Sequence, residues 1–382
     1  MIPRQLLLAG FLLLSLVLQF SAAKSSDGPT IKANRFDHPP SGLFFFADSD
    51  TVLFRDFKKK EAHRSFDAGV TWEIIDDEDG DLKGSVLAIL PHPIDNQKAY
   101  AVGTKGKYWI TTDQAKTWRP FQIDATPTEF GPPFSFHGRD SRKVIFNGEE
   151  CHGGCVRKTF YTTDDFKTIK PLRDYSRSCS WAVQTPQFAE GLDAADKIEN
   201  RVFCVVAGVK ISFEYANRLV YSDDFFHDDE EGIETKLHKE RPVSGILNSA
   251  AVTKYLLVAA KSQGTDELAL YVTDDAIVWH HAEFGKHKLE EDAYTVLEST
   301  NYSIQIDVKN TGQSGSMGVL FTSNSNGTYF TRNIEHTNRN REGLLDFEKI
   351  ANIQGIVLVN VVDNWEAVEE QKADKQIVSR IS

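Results

Sequence analysis

The stretch Ser65-Phe66-Asp67-Ala68-Gly69-Val70-Thr71-Trp72 decides the reading of this chain. It has the form S-x-D-x-G-x-T-W, and it recurs. A second copy keeps the offsets in Thr111, Asp113, Ala115, Thr117 and Trp118. A third is Thr162, Asp164, Phe166 and Thr168, and a fourth is Ser222, Asp224 and Phe226. A fifth is read at Asp274 with Trp279 five residues later, and a sixth at Thr322, Asn324, Asn326, Thr328 and Tyr329. Counted from the Asp or Asn, the steps are 46, 51, 60, 50 and 50 residues, which is one supersecondary unit per step.

Ser, Asp and Gly are residues whose side chains bond the local backbone or tolerate positive φ, so the octet is a turn between two strands. The Asp carboxylate accepts nearby backbone N–H groups, and the Trp five residues on enters the next strand and packs back over the turn. The residues assigned to this structural role are Ser65, Asp67, Gly69, Thr71, Trp72, Asp113, Trp118, Asp164, Asp224, Asp274, Trp279 and Asn324. The turns resemble Asp boxes, the hairpin element of sialidase-type propellers. Between them the chain reads as strand, as in Lys98–Gly103, Tyr108–Thr111 and Arg201–Ala207, rich in β-branched and aromatic residues. Helical periodicity is confined to a segment from Asp363 to Lys375. The expected fold is all-β: a β-propeller of four-stranded blades, about six to seven of them, each with its box hairpin.

The chain has 382 residues, 41% hydrophobic and 26% charged, enough to bury a large core. A formal charge of −12 repels phosphate backbones and anionic membrane surfaces, which argues against nucleic acid as partner and against direct membrane contact. Arg4 precedes an apolar stretch from Leu6 to Phe20, and Ser21-Ala22-Ala23 offers small residues for cleavage after Ala23. This reads as a secretory signal peptide over residues 1–23, since its fifteen apolar residues fall short of the roughly 20 a span needs. The mature unit is then 24–382. Export gives Cys151, Cys155, Cys179 and Cys204 an oxidising lumen, where two disulfides are the default and three connectivities are open. The sequons at Asn301 and Asn326 suit N-glycosylation in the same compartment.

Beyond the octets, His92-Pro93 leads to Ala99-Tyr100-Ala101-Val102-Gly103 and then Tyr108-Trp109-Ile110-Thr111-Thr112-Asp113. Cys179-Ser180-Trp181, Asp346-Phe347-Glu348-Lys349-Ile350, Gln354-Gly355-Ile356-Val357 and Val361-Val362-Asp363-Asn364 follow. With these the chain resembles the luminal propeller of the sortilin family, in particular its fungal vacuolar-sorting receptors. The resemblance implies a ten-bladed ring in a type I membrane receptor, which binds cargo such as vacuolar hydrolase precursors in the Golgi lumen and releases it in an endosome. Cytosolic sorting machinery would be reached only through a tail beyond this sequence. It supplies no cargo-contact residue. In the family another box follows the last motif, whereas Ser382 stands where the next octet would begin, so the expectation is the N-terminal part of a longer propeller. Such a chain would be secreted or held in the Golgi and endosome lumen, and a truncated receptor fragment with no sorting role is one alternative reading. The blade beginning near Gly355 would then lack a final strand unless the Phe44 to Phe54 region supplied it.

The rival is a glycoside hydrolase, because sialidases use the same hairpins, with a tyrosine nucleophile beside an arginine cluster. Their early Phe-Arg-Ile-Pro signature is absent; Asn34-Arg35-Phe36-Asp37 has the wrong order. Gly312-Gln313-Ser314-Gly315-Ser316 lacks the last glycine of a nucleophile elbow, and no H-E-x-x-H occurs. The expectation is therefore no enzyme, no cofactor and no metal. Cys151-His152-Gly153-Gly154-Cys155 has no second ligand pair at zinc spacing. Asp76-Asp77-Glu78-Asp79-Gly80 lacks EF-hand ligands at Ile75 and Val86 and reads as a solvated acidic loop, as does Asp228 to Glu231. His227 and His280-His281 are candidates for pH-dependent release, since imidazole gains charge between neutral and endosomal pH.

Overall fold

A computed structural model describes residues 32–382 apart from 105, 129–130, 152, 193–194, 209, 212–213, 262–266, 288, 291–293, 301–302, 310–316, 341–342, 351–352, 354–355 and 382. The 1–23 leader and Asn301 lie outside the described residues. Each step of the repeat is an antiparallel sheet whose strands pair in chain order. The first sheet is Pro40–Phe45, Val52–Asp56, Glu61–Ser65 and Glu73–Ile74; the second is Val86–Pro91, Ala99–Gly103, Lys107–Thr111 and Arg119–Gln122. The third is Phe134–Phe136, Val144–Cys151, Cys155–Thr162 and Lys170–Asp174. The fourth is Ser176–Trp181, Val202–Val206, Arg218–Ser222 and Ile233–Glu234. The fifth is Ile246–Val252, Tyr255–Lys261, Glu267–Thr273 and His280–His281, and the sixth Tyr294–Thr300, Ser303–Lys309, Met317–Ser323 and Phe330–Asn338.

The sheets stack face to face because their second strands are apolar on both sides. In Ala99–Gly103 every residue is buried. Ala99 and Ala101 pack with Leu53, Ala62 and Ile75 of the first sheet, whereas Tyr100 and Val102 pack with Phe134, Val144 and Phe146 of the third. The pattern repeats down the chain. Ile145 and Tyr161 of the third sheet meet Trp181, Cys204 and Val220 of the fourth. Phe203 and Val205 meet Ile246, Leu256 and Trp279, and Leu257 and Val272 meet Ile304, Ile306 and Phe321. A period-2 strand buried on both faces is what a blade between two neighbours requires, and this succession is a β-propeller.

Three strands follow the sixth sheet: Phe347–Lys349, Val357–Val362 and Ile377–Ile381, joined to it through Thr337 and Val361. This unit begins before Gly355, earlier than the sequence reading placed it. The Phe44 to Phe54 region does not complete it, because its strands pair within the first sheet. The helical segment expected from Asp363 to Lys375 is one short helix, Trp365–Glu369. Asn364 and the polar run after Glu369 leave only Val368 to bury, too little apolar face for a longer helix.

Candidate functional site

The box turns join the third and fourth strands of their sheets. In the first, Ser65 Oγ donates to Asp67 Oδ1 at 2.7 Å and accepts from the Gly69 N–H at 2.8 Å. Asp67 also accepts from the Thr71 N–H at 2.8 Å and the Thr71 hydroxyl at 2.7 Å, and Trp72 Nε1 donates to the Gly69 carbonyl at 2.9 Å. The Thr71 N–H, followed by the Ser65 and Thr71 hydroxyls, holds the Asp67 carboxyl down at about 2. Thr111 and Asp113, Thr162 and Asp164, and Ser222 and Asp224 repeat the clasp.

The fifth turn departs from the sequence reading. Asp275, not Asp274, accepts from Thr273 Oγ1 at 2.9 Å and from the Ile277 and Val278 N–H groups at 2.7 and 2.8 Å. Asp274 is exposed. Trp279 follows Asp275 by four residues, so this turn is one residue short of the octet. In the sixth, Asn324 Oδ1 accepts from the Thr328 and Tyr329 N–H groups at 2.9 and 3.2 Å.

The cysteines pair as Cys151–Cys155, across an exposed hairpin tip, and Cys179–Cys204, buried between directly opposed positions of adjacent strands. Glu149, Cys151 and Cys155 bring three potential metal ligands within 4.8 Å, but a disulfide offers no thiolate. The acidic loop after the first sheet is less solvated than the sequence suggested. Asp77 accepts from the Asp81 and Leu82 N–H groups at 2.8 and 3.0 Å and from Trp109 Nε1 at 2.8 Å. Of the candidate histidines, His227 lies 3.5 Å from the Tyr161 hydroxyl, His281 Nδ1 lies 3.0 Å from Glu283, and His280 is exposed.

Cationic clamps between sheets escaped sequence reasoning. Arg64 donates to the carbonyls of Ala115 and Lys116 in the second turn. Lys98 reaches Asp165 in the third at 2.7 Å, and Arg119 donates to the Asp165 carbonyl. Arg201 binds Asp223 through two nitrogens at 2.8 Å and the Ala276 carbonyl of the next sheet at 3.0 Å. Lys143 likewise reaches Glu199 and Asn200 of the fourth sheet's loop at 3.2 and 3.1 Å, and Lys98, Lys143 and Arg201 each stand just before a second strand, which was the available signal.

With the turns committed to structure, the first-strand edge offers room for a ligand. There a cleft of about 370 Å³ opens between the first strands of the fifth and sixth sheets. Leu247, Leu257, Leu268 and Val296 give it apolar walls, and Asn248, Ser249 and Thr295 give it polar groups. Both strands are bulged beside it, between Ile246 and Asn248 and between Val296 and Glu298. Bulges twist an edge strand and disrupt its ladder, which keeps such an edge from pairing indiscriminately. Among the described residues that line it none is ionisable, so the cleft offers apolar surface with amide and hydroxyl groups.

Fold and site define the class as a β-propeller with Asp-box hairpins. The family model described as "Sortilin, neurotensin receptor 3" (Sortilin-Vps10) matches residues 60–382, and the chain belongs to that family. It is 57% identical over its whole length to the Aspergillus terreus protein named vacuolar protein sorting/targeting protein 10, of which it covers 26%. Its likeness to the proteins of that name is 58% in Aspergillus flavus, over 100% of this chain and 26% of the relative. In Talaromyces marneffei it is 58%, over 94% of this chain and 24% of the relative. The chain thus spans about a quarter of the length of these curated relatives. Among solved structures, the propeller domain of the trilobed protease from Pyrococcus furiosus gives a TM-score of 0.41 at 10% identity, over 87% of this chain and 90% of that one. A GH74 xyloglucanase from Xanthomonas campestris gives 0.43 at 12%, over 77% and 45%.

Proposed function

We propose that this chain is luminal cargo-binding propeller of a vacuolar sorting receptor, carries no reaction of its own, and takes soluble vacuolar hydrolase precursors as cargo. The observation that carries the reading is 57% identity, across the entire chain, to proteins named for vacuolar sorting. The cleft supports it: apolar walls with amide and hydroxyl groups suit a peptide segment better than a sugar, whose hydrolysis usually needs paired carboxyl groups. Golgi and endosome lumen is the proposed setting, with release in the more acidic compartment through His227, His280 and His281.

Binding of purified chain to a hydrolase precursor carrying its propeptide, by interferometry at pH 7 and pH 5, tests this. The expected result is saturable binding at pH 7, weaker at pH 5, lost in Ala250→Arg, which fills the cleft. No binding at either pH would overturn the receptor reading, as would turnover of a glycoside panel above background. Unchanged affinity between the two pH values would remove the release proposal alone.

A further inference from the structure

His238 and His281 stand far apart in the sequence, and folding brings their rings to the same buried tyrosine. His281 lies on the fourth strand of the fifth sheet, directly opposite Tyr271 of the third strand. His238 belongs to the connection between the fourth and fifth sheets, where it exchanges backbone hydrogen bonds of 3.1 and 2.9 Å with Arg241. Leu237 beside it is buried in the same cluster as Tyr271, so the backbone that carries His238 is anchored. Ring centres lie 5.5 Å apart for Tyr271 and His281, 6.1 Å for Tyr271 and His238, and 5.7 Å for the two imidazoles, whose planes cross at 80°. Glu283 completes the arrangement. Its backbone is pinned to the sixth sheet, donating to the Thr328 carbonyl at 2.7 Å and accepting from the Phe330 N–H at 2.9 Å, and its Oε1 lies 3.0 Å from His281 Nδ1. An ionised carboxylate only accepts, so Nδ1 of His281 carries the proton and Nε2 keeps its lone pair.

We propose that His238 and His281 together bind a borderline divalent transition-metal ion such as Zn²⁺, with Glu283 as the carboxylate that orients His281. Imidazole nitrogen suits such ions, whereas Ca²⁺ and Mg²⁺ take oxygen ligands. At a Zn–N distance of about 2.0–2.1 Å, two imidazoles on one tetrahedral ion hold their ring centres about 5 Å apart, so the observed 5.7 Å closes by a small rotation of two partly buried side chains. A carboxylate behind a ligating histidine fixes its tautomer and raises its basicity, which is the place Glu283 occupies. Among the described residues no hydrogen bond occupies either ring nitrogen of His238, so it too has a lone pair to give. Water fills the remaining positions. Bound there, the ion ties the connection after the fourth sheet to the outer strand of the fifth. His280, the neighbour along that strand, is exposed on its other face and stands outside the site. The site does not depend on the receptor reading.

The test titrates the untagged full chain with Zn²⁺ alone by calorimetry, and separately treats it with diethylpyrocarbonate in the presence of Zn²⁺ or Ca²⁺, the modified histidines being located by mass. The expected result is saturable uptake whose tightest class is one ion per chain, with His238 and His281 protected together by Zn²⁺ and left reactive by Ca²⁺. His238→Ala and His281→Ala should each weaken binding by more than about tenfold and Glu283→Ala by about tenfold, the usual worth of a carboxylate behind a ligating histidine, while His280→Ala leaves it unchanged. Protection of one histidine alone, or of neither, would overturn the inference, as would equal protection by Ca²⁺. A loss in His280→Ala as large as in His281→Ala would place the ion on the other face of the strand and overturn it as well. Full affinity in Glu283→Ala would overturn the orienting role of that carboxylate. The footprint is read on the parent chain, so the outcome does not hang on whether a variant folds.

Discussion

At the scale of single residues, the box carboxylates serve as acceptors for backbone and hydroxyl donors. Asp113 takes the Thr117 N–H at 2.9 Å, the Thr117 hydroxyl at 2.7 Å and the Thr111 hydroxyl at 2.9 Å. Asp113→Ala leaves these unpaired and should cost about 1–2 kcal/mol in urea unfolding, whereas Asp113→Asn should cost less, as Asn324 performs the same task naturally. The Asp67 carboxyl, at about 2, lies below its unfolded value near 3.9, so its stabilisation is complete above about pH 4 and disappears as pH falls toward 2. The boxes thus stay locked in mildly acidic compartments. His92 behaves otherwise. Burial drives its imidazole down to about 4, while its Nδ1 accepts the Ile94 and Asp95 N–H groups at 3.2 Å. The unfolded chain therefore binds the extra proton between about pH 6.5 and 4, and stability from neutral His92 falls across that window as acid is added. His92→Asn supplies an acceptor that does not titrate, and its melting temperature should change less between pH 7 and pH 5 than that of the parent chain.

At the scale of elements, neighbouring sheets are held by apolar faces and, at their turns, by cations. Arg201 is buried, and its partners Asp223 and Ala276 belong to two different sheets. Arg201→Met should cost about 2–3 kcal/mol, because the Asp223 carboxylate and the Ala276 carbonyl lose a charged donor. Gly103 marks the packing limit: a Cβ there would lie 2.4 Å from the Trp109 ring and 2.6 Å from the Lys107 carbonyl. Gly103→Ala should destabilise by about 1–3 kcal/mol and alter the near-ultraviolet signal of the indole. What sequence reveals at this scale depends on distance along the chain. Ser65, Asp67 and Trp72 lie within one octet and announce the turn, and Ala99–Gly103 announces itself by composition. Lys98 and Asp165 are 67 residues apart and Arg201 and Ala276 are 75, so no local pattern links them. Asp274 and Asp275 are adjacent and equally able to accept, and only the backbone path selects the second.

At the scale of the molecule, the repeat dictates stacking, and stacking puts the first strands along one edge and the box turns at the far ends of the third strands. The repeat made the propeller legible because one period in six copies outweighs any single weak match. The cleft was not legible: Leu247 follows Ile246 and Val296 precedes Leu297, so alternation does not say which of each pair faces out, and the bulge at each pair sets it. Hydrogen–deuterium exchange of the chain with and without a hydrolase propeptide tests the docking claim most directly. Slower exchange confined to Ile246–Val252 and Tyr294–Thr300, with the box turns unchanged, is the predicted result. Protection at the turns around Asp67, Asp113 and Asp164, with none along the first strands, would contradict it.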